Sequence, residues 1–179
     1  MSEMPTRRPP LVKNLVTDNV KILLAILLLA LAASGQTQAE ALKVEWKDLV
    51  PEGEPVATQS MDPMATLLGE SASQDLSGSL VTDFNGKTIR LPGFLVPVAS
   101  DEVGLLSEFF LVPYFGACIH VPPPPPNQIV YVKLDKPFDL KNLWTPFWVE
   151  GEMSTQAFTS VMGTAGYTIT ANLIEEYQW

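Results

Sequence analysis

Five consecutive prolines, Pro122, Pro123, Pro124, Pro125 and Pro126, constrain this chain more than any other feature. Each lacks an amide hydrogen and fixes φ near the polyproline II value, so the run can be neither a helix interior nor a central strand. It stands between apolar stretches and must join them as a stiff rod. Around it the signals are β. Val130, Val132 and Leu134 alternate with Tyr131 and Lys133, and Tyr167, Ile169 and Ala171 alternate with Thr168 and Thr170. That period of two is expected of strands buried on one face.

Further strands are expected at residues 109–113 and 147–153. Residues 81–91 read as a hairpin, because Asn85-Gly86 supplies the positive φ that a two-residue turn needs. Pro92-Gly93 is expected to bend or bulge its second strand before residues 94–98 continue it. Residues 154–162 and 61–72 are the two short-helix candidates, the latter with Asp62 as cap and Pro63 at its first position. The fold class read from this pattern is mainly β, a small barrel of five or six strands resembling the oligonucleotide/oligosaccharide-binding (OB) fold, with one or two short helices. Residues 80–179 form that barrel, and residues 40–79 precede it as a leader.

Residues 1–39 carry a different message. Arg7, Arg8, Lys13 and Lys21 precede an apolar run over residues 22–33, followed by small and polar residues ending in Thr37-Gln38-Ala39. This order is that of a cleaved signal peptide, with cleavage expected after Ala39 and a periplasmic destination. A run of this length is short for a spanning helix, so no membrane span is expected after cleavage. Removal of residues 1–39 leaves seven Lys and Arg against 18 Asp and Glu, a net charge of −11 compared with −9 for the whole sequence. Such acidity argues against a nucleic-acid partner, whose phosphates require clustered Lys and Arg.

The chain has one Cys and one His among 179 residues, which excludes an intrachain disulfide. Both lie immediately before the prolines. Cys118 and His120 are two residues apart, so on an extended backbone they project to the same face. Three readings follow. Cys118 can be a small buried hydrophobe beside a hydrogen-bonded His120. The pair can bind a soft metal, zinc or copper(I), for which thiolate and imidazole are preferred ligands; the remaining donors must then come from carboxylates, Met, water or a second chain. Or His120 can lower the pKa of a nucleophilic Cys118, the least favoured reading because no oxyanion hole is marked, so an enzyme is not the expected class. The proline run, with Asn127 and Gln128 after it, is either an interaction segment for an aromatic groove or a rigid internal connection, the second being the stronger reading. Trp144, Phe147 and Trp148 are candidates for the aromatic surface against which the prolines pack.

The string GACIHVPPPPPNQIVYV, together with GKTIRLPGFLVP and EFFLVPYF upstream, closely resembles the secreted bacterial family called domain of unknown function 3299, over about residues 46–177. The resemblance implies a small exported protein. Because some relatives are encoded near export-type ABC transporters and some such clusters respond to zinc status, it also implies a periplasmic accessory in metal or envelope homeostasis, with envelope ABC transporter components as partners. It assigns no role to Cys118 or His120.

Overall fold

The structure, a computed structural model, describes residues 40–56, 73–117 and 123–178. Eight strands occur among them: β1 (Leu42–Lys43), β2 (Thr88–Ser100), β3 (Leu106–Val112), β4 (Val130–Phe138), β5 (Phe147–Ser154), β6 (Phe158–Ser160), β7 (Gly163–Ala165) and β8 (Tyr167–Glu176). Five of them close a barrel in the order β2-β3-β4-β8-β5, with β5 returning to β2 and β1 added as a short parallel edge. Helix is confined, among the described residues, to 3-10 turns at Trp46–Leu49 and Pro126–Gln128. The small β barrel expected from the sequence is therefore present. No helix among the described residues is long and apolar enough to cross a membrane.

Closure depends on β2 serving two neighbours. Thr88 to Gly93 pair with β5, and from Phe94 onward the strand pairs with β3. The change occurs at Pro92-Gly93, without interrupting the strand; the bulges fall further on, between Pro97 and Ser100. Gly93 is required at this corner because a Cβ there would lie 2.7 Å from the Val112 carbonyl oxygen and 2.9 Å from Leu111 Cγ. β4 and β8 form the parallel pair, Val130 opposite Tyr167 through Leu134 opposite Ala171.

The barrel wall is apolar on both sides. Ile89, Leu91, Phe109, Val132, Tyr167 and Ile169 belong to the inner core. Phe110 and Val112 of β3 and Tyr131 of β4 face outward and belong to a second cluster, with Ala117 and Ile129 from the β3–β4 connection and Ala165 of β7. Each fully buried large side chain contributes roughly 1.5–3 kcal/mol relative to exposure. The two clusters explain why β3 and β4 read as nearly continuous apolar runs.

Two sequence expectations fail for identifiable reasons. Residues 81–91 do not form a hairpin. The Val81 amide donates to the Tyr167 hydroxyl at 2.7 Å, and the turn is held onto β5 by Gly86 N–H to the Met153 carbonyl, 2.8 Å, and Met153 N–H to the Lys87 carbonyl, 3.0 Å. Gly86 does adopt positive φ, 69°, as the Asn-Gly signal requires, but the turn it makes is not closed by a preceding strand. Residues 154–162 are not helical either: β6 and β7 form a small hairpin whose Phe158 and Ala165 cover the outer cluster. Apolar demand from that face overrides local propensity. The helix expected at residues 61–72 and the signal segment at 1–39 lie outside the described residues.

Candidate functional site

The segment carrying Cys118 and His120 connects β3 to β4, and its two flanks are fixed by different means. Upstream, the chain leaves β3 through residues 113–117. Gly116 takes φ 84°, a conformation that side-chain-bearing residues rarely adopt, and turns the backbone inward. Ala117 is then fully buried in the outer cluster. Phe115, just before, stacks on Trp144 with ring centroids 4.3 Å apart and meets Phe94 edge-on at 5.9 Å.

Downstream, the proline rod is held by its carbonyls because it has no amides to offer. The Gln74 side-chain amide donates to the Pro124 carbonyl at 2.8 Å and to the Thr164 carbonyl at 2.8 Å, while its oxygen accepts from Thr164 N–H at 2.7 Å. Gln128 N–H donates to the Pro125 carbonyl at 2.8 Å, and Gly166 N–H to the Pro126 carbonyl at 2.7 Å. Three successive carbonyls thus each accept a hydrogen bond. Pro124 is buried and Pro123, Pro125 and Pro126 are half-buried. Gly166 must be glycine, since a Cβ there would press into the Pro126 carbonyl and Leu80.

Asn127 and Gln128 are both buried. Asn127 donates from Nδ2 to the Glu54 carboxylate at 3.2 Å and to the Ser79 carbonyl at 3.3 Å, and its amide lies against Gly78, which has φ 114°. Ser79 N–H also donates to Glu54. Beside them the Tyr167 hydroxyl donates to the Leu49 carbonyl at 2.8 Å and accepts from Val81 N–H. Burial pushes the Tyr167 phenol above its ordinary pKa; the Val81 amide opposes that rise, and the nearby Glu54 charge adds to it. Leu49 is completely buried, and Glu54, Gln74 and Ser79 are tied to the end of the rod.

The outer cluster has a stacked centre. Phe158 of β6 lies on Tyr131 with centroids 3.7 Å apart and planes 5° from parallel, and edge-on to Phe110 at 6.0 Å. The Tyr131 hydroxyl donates to Glu108 at 2.6 Å. Burial first, then this bond and the Glu108 charge, raise the Tyr131 phenol far above the usual range.

Of the residues singled out from the sequence, Pro123 to Gln128 converge on one packed junction, while Cys118, His120 and Pro122 lie outside the described residues. Among the described residues no three His, Cys, Asp or Glu side chains are grouped to hold a metal ion. Trp144 stacks on Phe115, Phe147 meets Phe138 edge-on and Trp148 stacks on Tyr177, and the rod's carbonyls accept from Gln74, Gln128 and Gly166. Gln74, Glu54 and Tyr167 are the organising side chains that sequence reasoning missed. Their partners lie 25 to 118 residues away, and no local pattern announces them.

A family model described as protein of unknown function (DUF3299) matches residues 46–176. A crystal structure of a DUF3299 family protein from Pseudomonas aeruginosa PAO1 is similar with a TM-score of 0.71 and 41% sequence identity, over 78% of this chain and 97% of that one. No curated protein matches.

Proposed function

The chain belongs to the DUF3299 family, and from that premise we propose that it is a non-catalytic periplasmic accessory protein that binds a soft metal ion, zinc or copper(I), through Cys118 and His120, in association with an envelope ABC transporter. The observation that carries the reading is the contrast between fixed flanks and unusual content. Ala117 is buried on one side and Pro124 is hydrogen-bonded on the other. The five residues between 117 and 123 hold the sole Cys and the sole His of the sequence. A short span between fixed points limits the conformations that two ligands must give up on binding, which favours affinity. Thiolate and imidazole select zinc and copper(I) over harder ions. The remaining donors come from water, from side chains outside the described residues, or from a second chain.

The half-buried rod supports a role as the rigid downstream post of this span more than as a free ligand for an aromatic groove. The transporter partnership rests on the family resemblance. Export follows from the basic, apolar and small-residue order of residues 1–39.

Metal content separates this reading from a structural role for the pair. Reduced full-length protein is expected to take up one zinc or copper(I) per chain, releasing the thiol proton, and Cys118→Ser is expected to abolish uptake. A ratio below one per chain, constant across preparations, identifies a site shared between chains. Equal metal content in wild type, Cys118→Ser and His120→Ala, measured by mass spectrometry, eliminates the proposal.

A further inference from the structure

The sequence holds a single Asn-Gly pair, Asn85-Gly86, and the fold places it in an exposed turn against β5. Asparagine before glycine is the dipeptide most open to attack by the chain on itself, because no Cβ on the second residue shields its nitrogen from the preceding carboxamide. Four polar atoms of the pair are engaged. Asn85 N–H donates to the Thr82 carbonyl at 3.1 Å, and Gly86 N–H donates to the Met153 carbonyl at 2.8 Å. Asn85 Nδ2 donates to Thr155 Oγ1 at 3.0 Å, while Asn85 Oδ1 accepts from Thr155 N–H at 2.6 Å. The carboxamide thus clasps the residue that follows β5. No atom lies within 4 Å of where a Cβ on Gly86 would stand, so water and hydroxide reach the bond and hydrogen bonding, not burial, restrains it.

Covalent chemistry fixes the reaction open to such a pair. Hydroxide removes the Gly86 amide proton, the nitrogen bonds to Asn85 Cγ, and the Cγ–Nδ2 bond breaks, the amine taking a proton from water and leaving as ammonia. Water then opens the resulting succinimide ring at one of its two C–N bonds. Cleavage between Cγ and the Gly86 nitrogen gives aspartate, whereas cleavage between the backbone carbonyl carbon and that nitrogen gives isoaspartate, whose main chain runs through Cβ and Cγ. The net change is ammonia exchanged for water, with no oxidation or reduction. In the folded protein the atoms that must be freed are held: the proton to be removed is bonded to Met153, and the nitrogen that leaves is bonded to Thr155.

We infer that Asn85 is a self-modification site governed by folding: it is converted while the turn is free and spared once the turn is clasped to Met153 and Thr155. The two products differ in what they permit. Aspartate keeps an oxygen to accept from Thr155 N–H and a second to accept from the Thr155 hydroxyl, so the same turn closes. Isoaspartate adds one atom to the main chain between residues 85 and 86, which takes Gly86 N–H out of register with the Met153 carbonyl. That bond stands at the start of the β2–β5 ladder, whose first pair is Thr88 with Glu152. A chain that stays undocked long enough therefore acquires a lesion at the place where β2 must join β5. This inference does not depend on the metal reading, since it uses no residue of the rod or of the segment before it.

The test incubates full-length protein at mildly alkaline pH, native and in guanidinium chloride, and follows conversion at residue 85 by peptide mass spectrometry, with isoaspartate counted by enzymatic carboxyl methylation. Conversion is expected to be about tenfold or more slower in the native protein, because reaction there requires the Met153 bond and both Thr155 bonds to be released. Thr155→Val removes the hydroxyl and keeps the amide donor, so native conversion should rise about two- to tenfold while the rate in denaturant is unchanged. On removal of denaturant, isoaspartate is expected in the chains that fail to refold, and Asn85→Asp is expected to refold as wild type does. Equal rates in native and denatured protein, or no conversion in denaturant, overturn the inference without reliance on any variant. An unchanged native rate in Thr155→Val, or isoaspartate equally abundant in refolded and unfolded chains, overturns it as well.

Discussion

The two ends of β4 are built to opposite specifications. From Val130 to Val132 every residue is buried, both neighbouring strands are paired, and three carbonyls of the preceding rod accept from Gln74, Gln128 and Gly166. From Asp135 to Pro137 both ladders are absent and the residues are exposed. One strand thus passes from a rigid junction to an open rim within a few residues. The change is driven by what surrounds the backbone: proline carbonyls given dedicated donors at the first end, and paired bulges plus Pro137 at the second. Rigidity here is a property of hydrogen-bonded backbone carbonyls as much as of apolar burial.

The largest test of this contrast removes apolar mass from each end. Ile129→Ala, at a completely buried position of the outer cluster, is expected to cost about 2–5 kcal/mol in chemical denaturation, whereas Leu173→Ala on the open rim should change stability by less than about 0.5 kcal/mol. Similar costs at both positions would mean that the open rim is as tightly packed as the junction.

A smaller effect is expected from the polar clamp. Gln74→Ala leaves the Thr164 amide and the Thr164 and Pro124 carbonyls without their partner and should cost about 1–3 kcal/mol. Gln74→Glu should not rescue it, since a carboxylate replaces the donor with an acceptor facing two carbonyls. A fully stabilising Gln74→Glu would show that the Thr164 N–H bond alone carries the clamp.

The smallest effect lies in alkaline stability. Both Tyr131 and Tyr167 have phenols raised above the ordinary value, about 10 in an unfolded chain. Above that pH the unfolded chain releases protons that the folded one retains, so stability is flat below about pH 9 and falls as pH rises toward the folded values. Tyr131→Phe should be less stable at neutral pH through loss of the Glu108 bond, yet show a shallower alkaline decline. An unchanged slope in urea midpoints between pH 9 and 11 would remove Tyr131 as its source.

The β class and the terminal strand were legible because Tyr167, Ile169 and Ala171 face one packed side and their alternation survives in the sequence. The rod was legible as well, proline being unambiguous about its backbone. Residues 81–91 misled because Asn-Gly reports a turn and says nothing of which strand the turn joins. Residues 154–162 misled because β6 and β7 are three residues each, too short for a period to show. The junction around Glu54, Gln74 and Asn127 was illegible for a different reason: its hydrogen bonds join residues scattered along the chain, and isolated polar residues carry no mark of the carbonyl or amide they will meet. For Cys118 and His120 the sequence provides the residue types, and the described residues provide the flanks of the segment that carries them.

The position of β8 also governs the order in which the molecule can be made. It is the last strand of the barrel in sequence, yet it is inserted between β4 and β5, and its Tyr167 fastens Leu49 and Val81. Until residues 167–176 are available, a growing chain carries two unpaired strand edges and an uncovered apolar wall. Such a chain cannot complete its barrel piecemeal, and it exposes the surfaces that lead to aggregation. Synthesis that pauses before β8 therefore leaves the sheet open, whereas the arrival of ten residues closes it and secures the beginning of the body at the same time.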